Sequence, residues 1–222
     1  TNQKCKGFLI DLLPINEDRF IVVKDRETIS LGDKTIEFII APWVHWPETM
    51  FSYIKEDKVL LTCDFFGSHL ASSDVFVKSE DEVRMSAKRY YAEIMMPFRT
   101  SVKSHLETLK KYDIEIIGPS HGPVYQNPKF ILEAYADWSS DKVKNEIVIP
   151  YVSMHGSTAK MVDYLMDALS GRGVSVRPFN LVKTDIGELA MALVDAATVV
   201  IGAPAALVGP HPLVVYATYL IN

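Results

Sequence analysis

Three residues that ligate metals well each stand where an apolar run stops: His45 after TIEFIIAP, Asp64 after KVLLTC and His121 after IEIIGPS. Imidazole and carboxylate suit iron or zinc, and one carboxylate can bridge two ions. Taken singly, a histidine in a Gly/Pro loop can be no more than a hydrogen-bonding residue, and Asp64 no more than a turn former. Their shared position at strand ends is what could bring them to one edge of a sheet. His69, in DFFGSH, is expected beside that cluster. His105, within the charged run KSHLETLKK, is expected in solvent.

A second chemistry lies further along. Ser153-Met154-His155-Gly156-Ser157-Thr158 joins an apolar run to an amphipathic one, placing hydroxyls and a glycine where backbone N–H groups at a helix start can converge on a phosphate. An ordinary connecting loop capped by Ser157 is the plainer alternative. The segment GAPAALVGPHP, Gly202 to Pro212, is uncharged and rich in glycine and proline, which suits a planar aromatic ligand resting against backbone; Pro204, Ala205, Ala206 and Gly209 are its candidate contacts. Together the two loops favour flavin mononucleotide, FMN.

The elements that must position these residues change character along the chain. In the first part, RFIVVKD and ETISLGDKTIEFIIAP read as strands, with Gly32-Asp33 as a hairpin turn, and MFSYIKEDKVLLTCD repeats the pattern around Glu56-Asp57. A helical stretch follows from Asp81 to about Tyr112, with Met85, Tyr91, Met95, Phe98, Val102, Leu106 and Leu109 as its apolar stripe and Pro97 splitting it. IEIIGPSHG is a short buried strand, and NPKFILEAYADW a helix capped by Asn127. After the polar linker SSDKVKN the order becomes strand, helix, strand, helix, strand, with Thr184 expected to cap the second helix. That alternation implies parallel βαβ units. The expected domains are 1–145 and 146–222. Pro150 is a misfit in the first of these later strands.

Composition bounds the function. Of 222 residues 48% are hydrophobic, enough for a core, and 23 Lys plus Arg against 28 Asp plus Glu give a net charge of −5 without a basic run, so nucleic acid is not the expected partner. Cys5 and Cys63 form no CxxC pair, which fits a reducing, cytoplasmic setting. Ala196 to Asn222 lacks charge, yet its Gly and Pro residues make strand, loop and helix start the expectation there, not a membrane span. The sequence begins without Met and stops after three strands of an α/β pattern, so it reads as a stretch of a longer protein.

At WVHWPETM, TCDFFGSH, GPSHGPVY, SMHGST and GAPAALVGPHP the sequence resembles the flavodiiron proteins, or A-type flavoproteins. The resemblance implies a metallo-β-lactamase-like αββα sandwich carrying two irons, followed by a flavodoxin-like doubly wound parallel sheet carrying FMN. Carried over, His45 resembles the histidine ligand of one iron, Asp64 the bridging and catalytic aspartate, and His121 the histidine of the other iron. The remaining family ligands belong to an HxExDH motif, and no such motif occurs in this sequence. The implied activity is reduction of dioxygen to water, or of nitric oxide to nitrous oxide, by electrons entering through FMN. The implied donors are rubredoxin, an appended redox domain or a reduced deazaflavin coenzyme, and the implied assembly is a head-to-tail homodimer or a dimer of such dimers. Two other readings use the same residues: a zinc-dependent hydrolase of the metallo-β-lactamase superfamily, and a flavodoxin-like electron-transfer protein with a degenerate metal site.

Overall fold

The computed structural model describes residues 1–221; Asn222, the last residue of the expected second domain, lies outside the described residues. The chain divides into two compact units, Thr1–Ser140 and Asp141–Asn222.

The first unit opens with helix α1 (Gln3–Leu12) and is built on one sheet of five strands: β1 (Thr28–Ser30), β2 (Thr35–Ile40), β3 (Met50–Ile54), β4 (Val59–Leu61) and β5 (Ile116–Gly118), in that spatial order. Neighbours from β1 to β4 are antiparallel, whereas β5 pairs with β4 in parallel. The β1–β2 hairpin turns at Gly32-Asp33 and the β3–β4 hairpin at Glu56-Asp57, as the sequence predicts. RFIVVKD is not a strand. Its Val23 N–H is tied to the Thr1 carbonyl, and Ile21 stays exposed, so β-branched residues alone do not make a strand without a neighbouring ladder.

Register separates the two faces of this sheet. Ile39 lies opposite Phe51, Tyr53 opposite Leu60, and Leu60 opposite Ile117, and all five are buried. Each such side chain contributes about 1.5–3 kcal/mol by leaving water. The alternate residues Ile36, Phe38, Ile40, Met50 and Ile54 are only half-buried. Among the described residues this unit holds one sheet, with helices packed against the face that carries Phe51, which corresponds to one sheet and one helix layer of the expected αββα sandwich.

Those helices are α2 (Glu80–Tyr90), α3 (Arg99–Leu109) and α4 (Pro128–Trp138). Between α2 and α3 the chain makes a π-helical turn (Tyr91–Met95) and a 3₁₀ turn (Met96–Phe98) carrying Pro97, which splits the stretch as expected. Met85 is exposed and leaves the apolar stripe, because Val83, Ala87 and Tyr90 set the buried face of α2. Asn127 precedes α4 but makes no side-chain cap; its amide donates instead to Glu80 Oε1.

The second unit alternates β6 (Lys144–Tyr151), α5 (Ser157–Ser170), β7 (Ser175–Asn180), α6 (Ile186–Leu193) and β8 (Ala196–Val199), then adds a short hairpin, β9 (Ala205–Ala206) with β10 (Gly209–Pro210), and α7 (Pro212–Ile221). The three-stranded sheet is parallel in the order β7-β6-β8. Val148 and Phe179 pack on one face against Leu189 and Ala192 of α6 and Ala217 of α7; Ile149 faces Val162 of α5 on the other. Strand β6 begins inside the expected linker because Lys144 donates its N–H to the Asp195 carbonyl and pairs with the Asp195 side chain. Helix α6 is capped by Asp185, not Thr184: the Asp185 carboxylate accepts from Gly187 N–H at 2.7 Å.

Pro150 fits its central strand at a cost of one rung. Val200 donates to the Val148 carbonyl, Gly202 to Pro150, and Val152 to Gly202, so the donor that proline lacks is the one that would face the Val200 carbonyl. The 196–221 stretch forms strand, hairpin and helix and is partly exposed. Ile201, Val215 and Tyr219 are exposed, and no helix among the described residues is long and apolar enough to cross a membrane.

Candidate functional site

Strands β2, β4 and β5 run in the same direction, so the loops after their C-terminal ends emerge at one edge of the sheet. Those loops carry His45, Asp64 and His121. The structure brings all three together: Asp64 Oδ2 lies 3.2 Å from His45 Nε2 and Asp64 Oδ1 3.3 Å from His121 Nε2. One carboxylate therefore turns each of its oxygens to a different imidazole. Asp64 is mostly buried, while His121 keeps about half of its side chain open to solvent.

Each loop is fixed by its own hydrogen bonds. After β4, Thr62 N–H donates to the Gly118 carbonyl and its hydroxyl to the Phe65 carbonyl, and Ser120 N–H donates to the Cys63 carbonyl. These bonds tie the Asp64 turn to the His121 loop, and Ser68 N–H adds a bond to the His121 carbonyl itself. Gly122 follows His121 at φ +85°, and a Cβ there would lie 2.1 Å from Ser68 Oγ, so the close approach requires glycine. After β2, Trp43 N–H and the Thr49 hydroxyl both donate to the Trp46 carbonyl, closing a tight loop around His45, whose peptide bond with Val44 is cis.

Three neighbours complete the surroundings. His69 sits edge-on to Tyr90, with ring centroids 4.8 Å apart, and 5.6 Å from the His121 ring. Tyr90, which the sequence reading passed over, lies buried 5.9 Å from His121; burial first, and then the Asp64 carboxylate, push its phenol well above the ordinary range. Its spacing from Val83 and Ala87 on α2 was the signal that could have found it. Cys63 contacts Asp64, and burial, followed by that carboxylate, raises its thiol pKa, the opposite of what a nucleophilic cysteine needs. His105 is not in solvent as expected but buried, its Nε2 2.9 Å from the Pro42 carbonyl.

The donors suit metal as two pairs. Among the described residues no group of three or more His, Cys, Asp or Glu side chains closes around a single metal position. Each end of the Asp64 carboxylate instead meets one imidazole, which fits a carboxylate shared between two ions with one histidine for each.

In the second unit the loop Ser153–Thr158 leads into α5. Gly156 takes φ +84° at the helix start with open space around it, and Ser153 Oγ, not Ser157, accepts a bond from the first turn, from Ala159 N–H at 3.2 Å. Met154, His155, Gly156 and Ser157 are exposed, while Thr158 is buried. Gly202 lies opposite Tyr151, its N–H donating to the Pro150 carbonyl and its carbonyl accepting from Val152 N–H, and a Cβ on Gly202 would meet Tyr151 Cβ at 2.8 Å and the Thr158 methyl at 3.2 Å, so the second candidate loop leaves the sheet directly against the start of α5. Beyond Ala203 that segment is not the open loop expected. Ala205 pairs with Pro210 and Ala206 with Gly209 in the β9–β10 hairpin, whose two-residue turn, Leu207-Val208, has φ of 49° and 68° and is fully exposed; Pro204 leads into it. An apolar cavity of about 570 Å³ lies between α5 and the sheet, lined by Ile149, Thr158, Val162, Val200 and Gly202 among others.

A mixed α/β unit with ligand-type residues at the ends of β2, β4 and β5 defines a class, and comparison with known proteins agrees with it. The profile of the ODP family beta lactamase matches residues 2–122. The chain belongs to that family, and with it to the flavodiiron proteins. It is 38% identical over 193 residues to a nitric oxide reductase of Moorella thermoacetica, covering 83% of this chain and 48% of that protein. It is 31% identical over 220 residues to a coenzyme F420H(2) oxidase of Methanothermobacter marburgensis, covering 96% and 54%. The rubredoxin oxygen:oxidoreductase structure from Desulfovibrio gigas superimposes with a TM-score of 0.94 at 28% identity, over 100% of this chain and 57% of that one. The chain thus spans about half the length of the curated relatives it matches.

Proposed function

We propose that this chain is part of a cytoplasmic flavodiiron oxidoreductase that reduces dioxygen to water or nitric oxide to nitrous oxide. The observation that carries the reading is the single carboxylate of Asp64 set between two imidazoles. In it His45 holds one iron, His121 the other, and Asp64 bridges them, its charge partly offsetting two cations. Two donors per ion are too few, so the reading requires further ligands of the HxExDH kind, which these 222 residues do not contain.

The second unit is proposed as the flavodoxin-like FMN domain, residues 146–222. Its helix α5 is long enough for the backbone dipole to favour a phosphate at the loop Ser153–Thr158, with the Ser157 hydroxyl exposed beside it. Pro204, Ala205, Ala206 and Gly209 are proposed to border the flavin ring. Reduced FMN and two ferrous ions supply four electrons when bound, enough to take dioxygen to water. Around them, Tyr90 and His69 border the open side of His121, and the half-exposed His121 leaves a way in for a small gaseous substrate. The names of the relatives support rubredoxin or a reduced deazaflavin coenzyme as donor; a head-to-tail homodimer, or a pair of such dimers, is the proposed assembly.

The test is to purify the longest natural form of the protein, determine iron, zinc and FMN, reduce it anaerobically and mix it with dioxygen or nitric oxide. The reading expects two irons and one FMN per chain and rapid flavin reoxidation with water or nitrous oxide as product. Zinc in place of iron, with no reoxidation, would indicate the hydrolase instead.

A further inference from the structure

We propose that His105 is a positioning residue for His45, acting through the Pro42 carbonyl; this rests on the reading of His45 as a metal ligand. His105 lies on α3 within the buried stripe Val102, His105, Leu106 and Leu109, where an apolar residue would ordinarily stand. Its Nε2 is 2.9 Å from the Pro42 carbonyl. A carbonyl only accepts, so this nitrogen carries the proton. The ring also meets Phe51 edge-on at 6.1 Å, and Phe51 in turn stacks on Phe65 at 5.5 Å, next to Asp64 in sequence. His105 therefore links α3 to the segment that carries His45 and, through Phe51 and Phe65, to the one that carries Asp64.

Besides His105, the loop is tied to the rest of the unit at its far end, where the Asn2 amide donates to the Glu48 carbonyl at 2.7 Å, and by the buried Val44. From Ala41 to Thr49 the hydrogen bonds are mostly internal: Ala41 N–H to the Thr49 carbonyl, Trp43 N–H to the Trp46 carbonyl, and Thr49 back to Trp46 through both its N–H and its hydroxyl. These bonds give the loop its shape without fixing where it sits. Nearer its start, beside His45, the loop meets the segment after α2 twice: Trp43 stacks on Phe98 at 6.0 Å, and His105 holds Pro42. The first is a non-directional ring contact, whereas the second is a hydrogen bond in a buried site, which sets both distance and direction. His121, by contrast, is tied to the Asp64 turn by backbone bonds, so loss of the His105 bond should loosen one side of the Asp64 carboxylate and leave the other in place.

The experiment compares His105→Phe, which fills the space without a donor, with His105→Gln, which keeps one, in this 222-residue chain. Amide hydrogen exchange is followed at Trp43 and Thr49, and the imidazole resonances of His45 and His121 are followed through a Zn²⁺ titration. The proposal expects faster exchange at Trp43 and Thr49 in His105→Phe, a Zn²⁺ affinity at His45 weakened by about 10- to 100-fold, the usual scale for losing an outer partner of a ligand, an unchanged response at His121, and recovery of both readouts in His105→Gln. Equal behaviour of the two variants, or equal weakening at both histidines, overturns it, since a merely structural histidine would act on both sides alike. If neither histidine of the parent chain responds to Zn²⁺, as two donors per ion allow, the exchange comparison decides the positioning role by itself, faster exchange in His105→Phe alone supporting it and no difference refuting it.

Discussion

In the first unit the candidate site is made of side chains that already face one another, whereas in the second it is made of backbone and hydroxyls at the start of a helix, of which Ser157 is exposed. The contrast reflects what each ligand would demand. A metal needs donors held in fixed directions, and here three strand ends, a glycine that admits Ser68 and a buried histidine restrict the loops before any ion arrives. A phosphate needs only unpaired N–H groups and a favourable dipole, which any well-formed helix start provides. Damage to the first site should therefore be close to all-or-none, and damage to the second graded.

The largest effect is expected from Asp64→Asn. A neutral amide is a poor bridge, so in the iron-loaded protein one or both irons should be held at least about 100-fold more weakly, beyond the usual penalty for an outer partner. Anaerobic stopped-flow should find normal bleaching of the flavin by its donor and a sharply slowed reoxidation phase with dioxygen or nitric oxide. Reoxidation at the parental rate would make Asp64 a turn residue and erase the contrast between the two sites.

Next comes Ser157→Ala combined with Thr158→Ala. Losing two hydroxyl bonds to a dianion should weaken FMN binding by on the order of 3–6 kcal/mol, at about 1.5–3 each. Flavin absorbance after gel filtration measures it, and metal content should not change; an unaltered yellow protein would remove the phosphate from this loop.

A smaller effect is expected from Gly122→Ala. The new methyl meets Ser68 at a position with φ of +85°, so urea unfolding of the first unit should shift by about 2 kcal/mol or more, with His121 displaced as Ser68 gives way. A neutral result would mean that the His121 loop is not held by that contact.

The smallest effect runs in the other direction. Leu207 and Val208 occupy the turn of the β9–β10 hairpin with positive φ, a conformation that suits Asn-Gly and penalises a β-branched residue. Leu207→Asn with Val208→Gly should stabilise the second unit by about 1–2 kcal/mol, read from its thermal unfolding, and should remove two exposed apolar side chains. If FMN binding fell while stability rose, the apolar tip would have a part in holding the flavin.

Much of the first site was legible because its apolar runs stop abruptly at His45, Asp64 and His121, and strands running in one direction end at one edge. Other features were hidden for physical reasons. His105 is flanked by Lys103, Ser104 and Glu107, and local charge outweighed the three- and four-residue spacing that places it with Val102 and Leu109. RFIVVKD has the composition of a strand but no partner, a fact that composition does not carry. The choice between Thr184 and Asp185 as cap is a one-residue shift, settled only when the Asp185 carboxylate reaches Gly187. The GAPAALVGPHP segment read as a loop because glycine and proline dominate it, and two pairs of residues were enough to make it a hairpin.

The most direct test of the central claim is anomalous diffraction at the iron edge from crystals of the iron-loaded protein. The account predicts two peaks about 3.5–4 Å apart, one beside His45 and one beside His121, with the Asp64 carboxylate between them. A single peak, or iron bound away from Asp64, would contradict it.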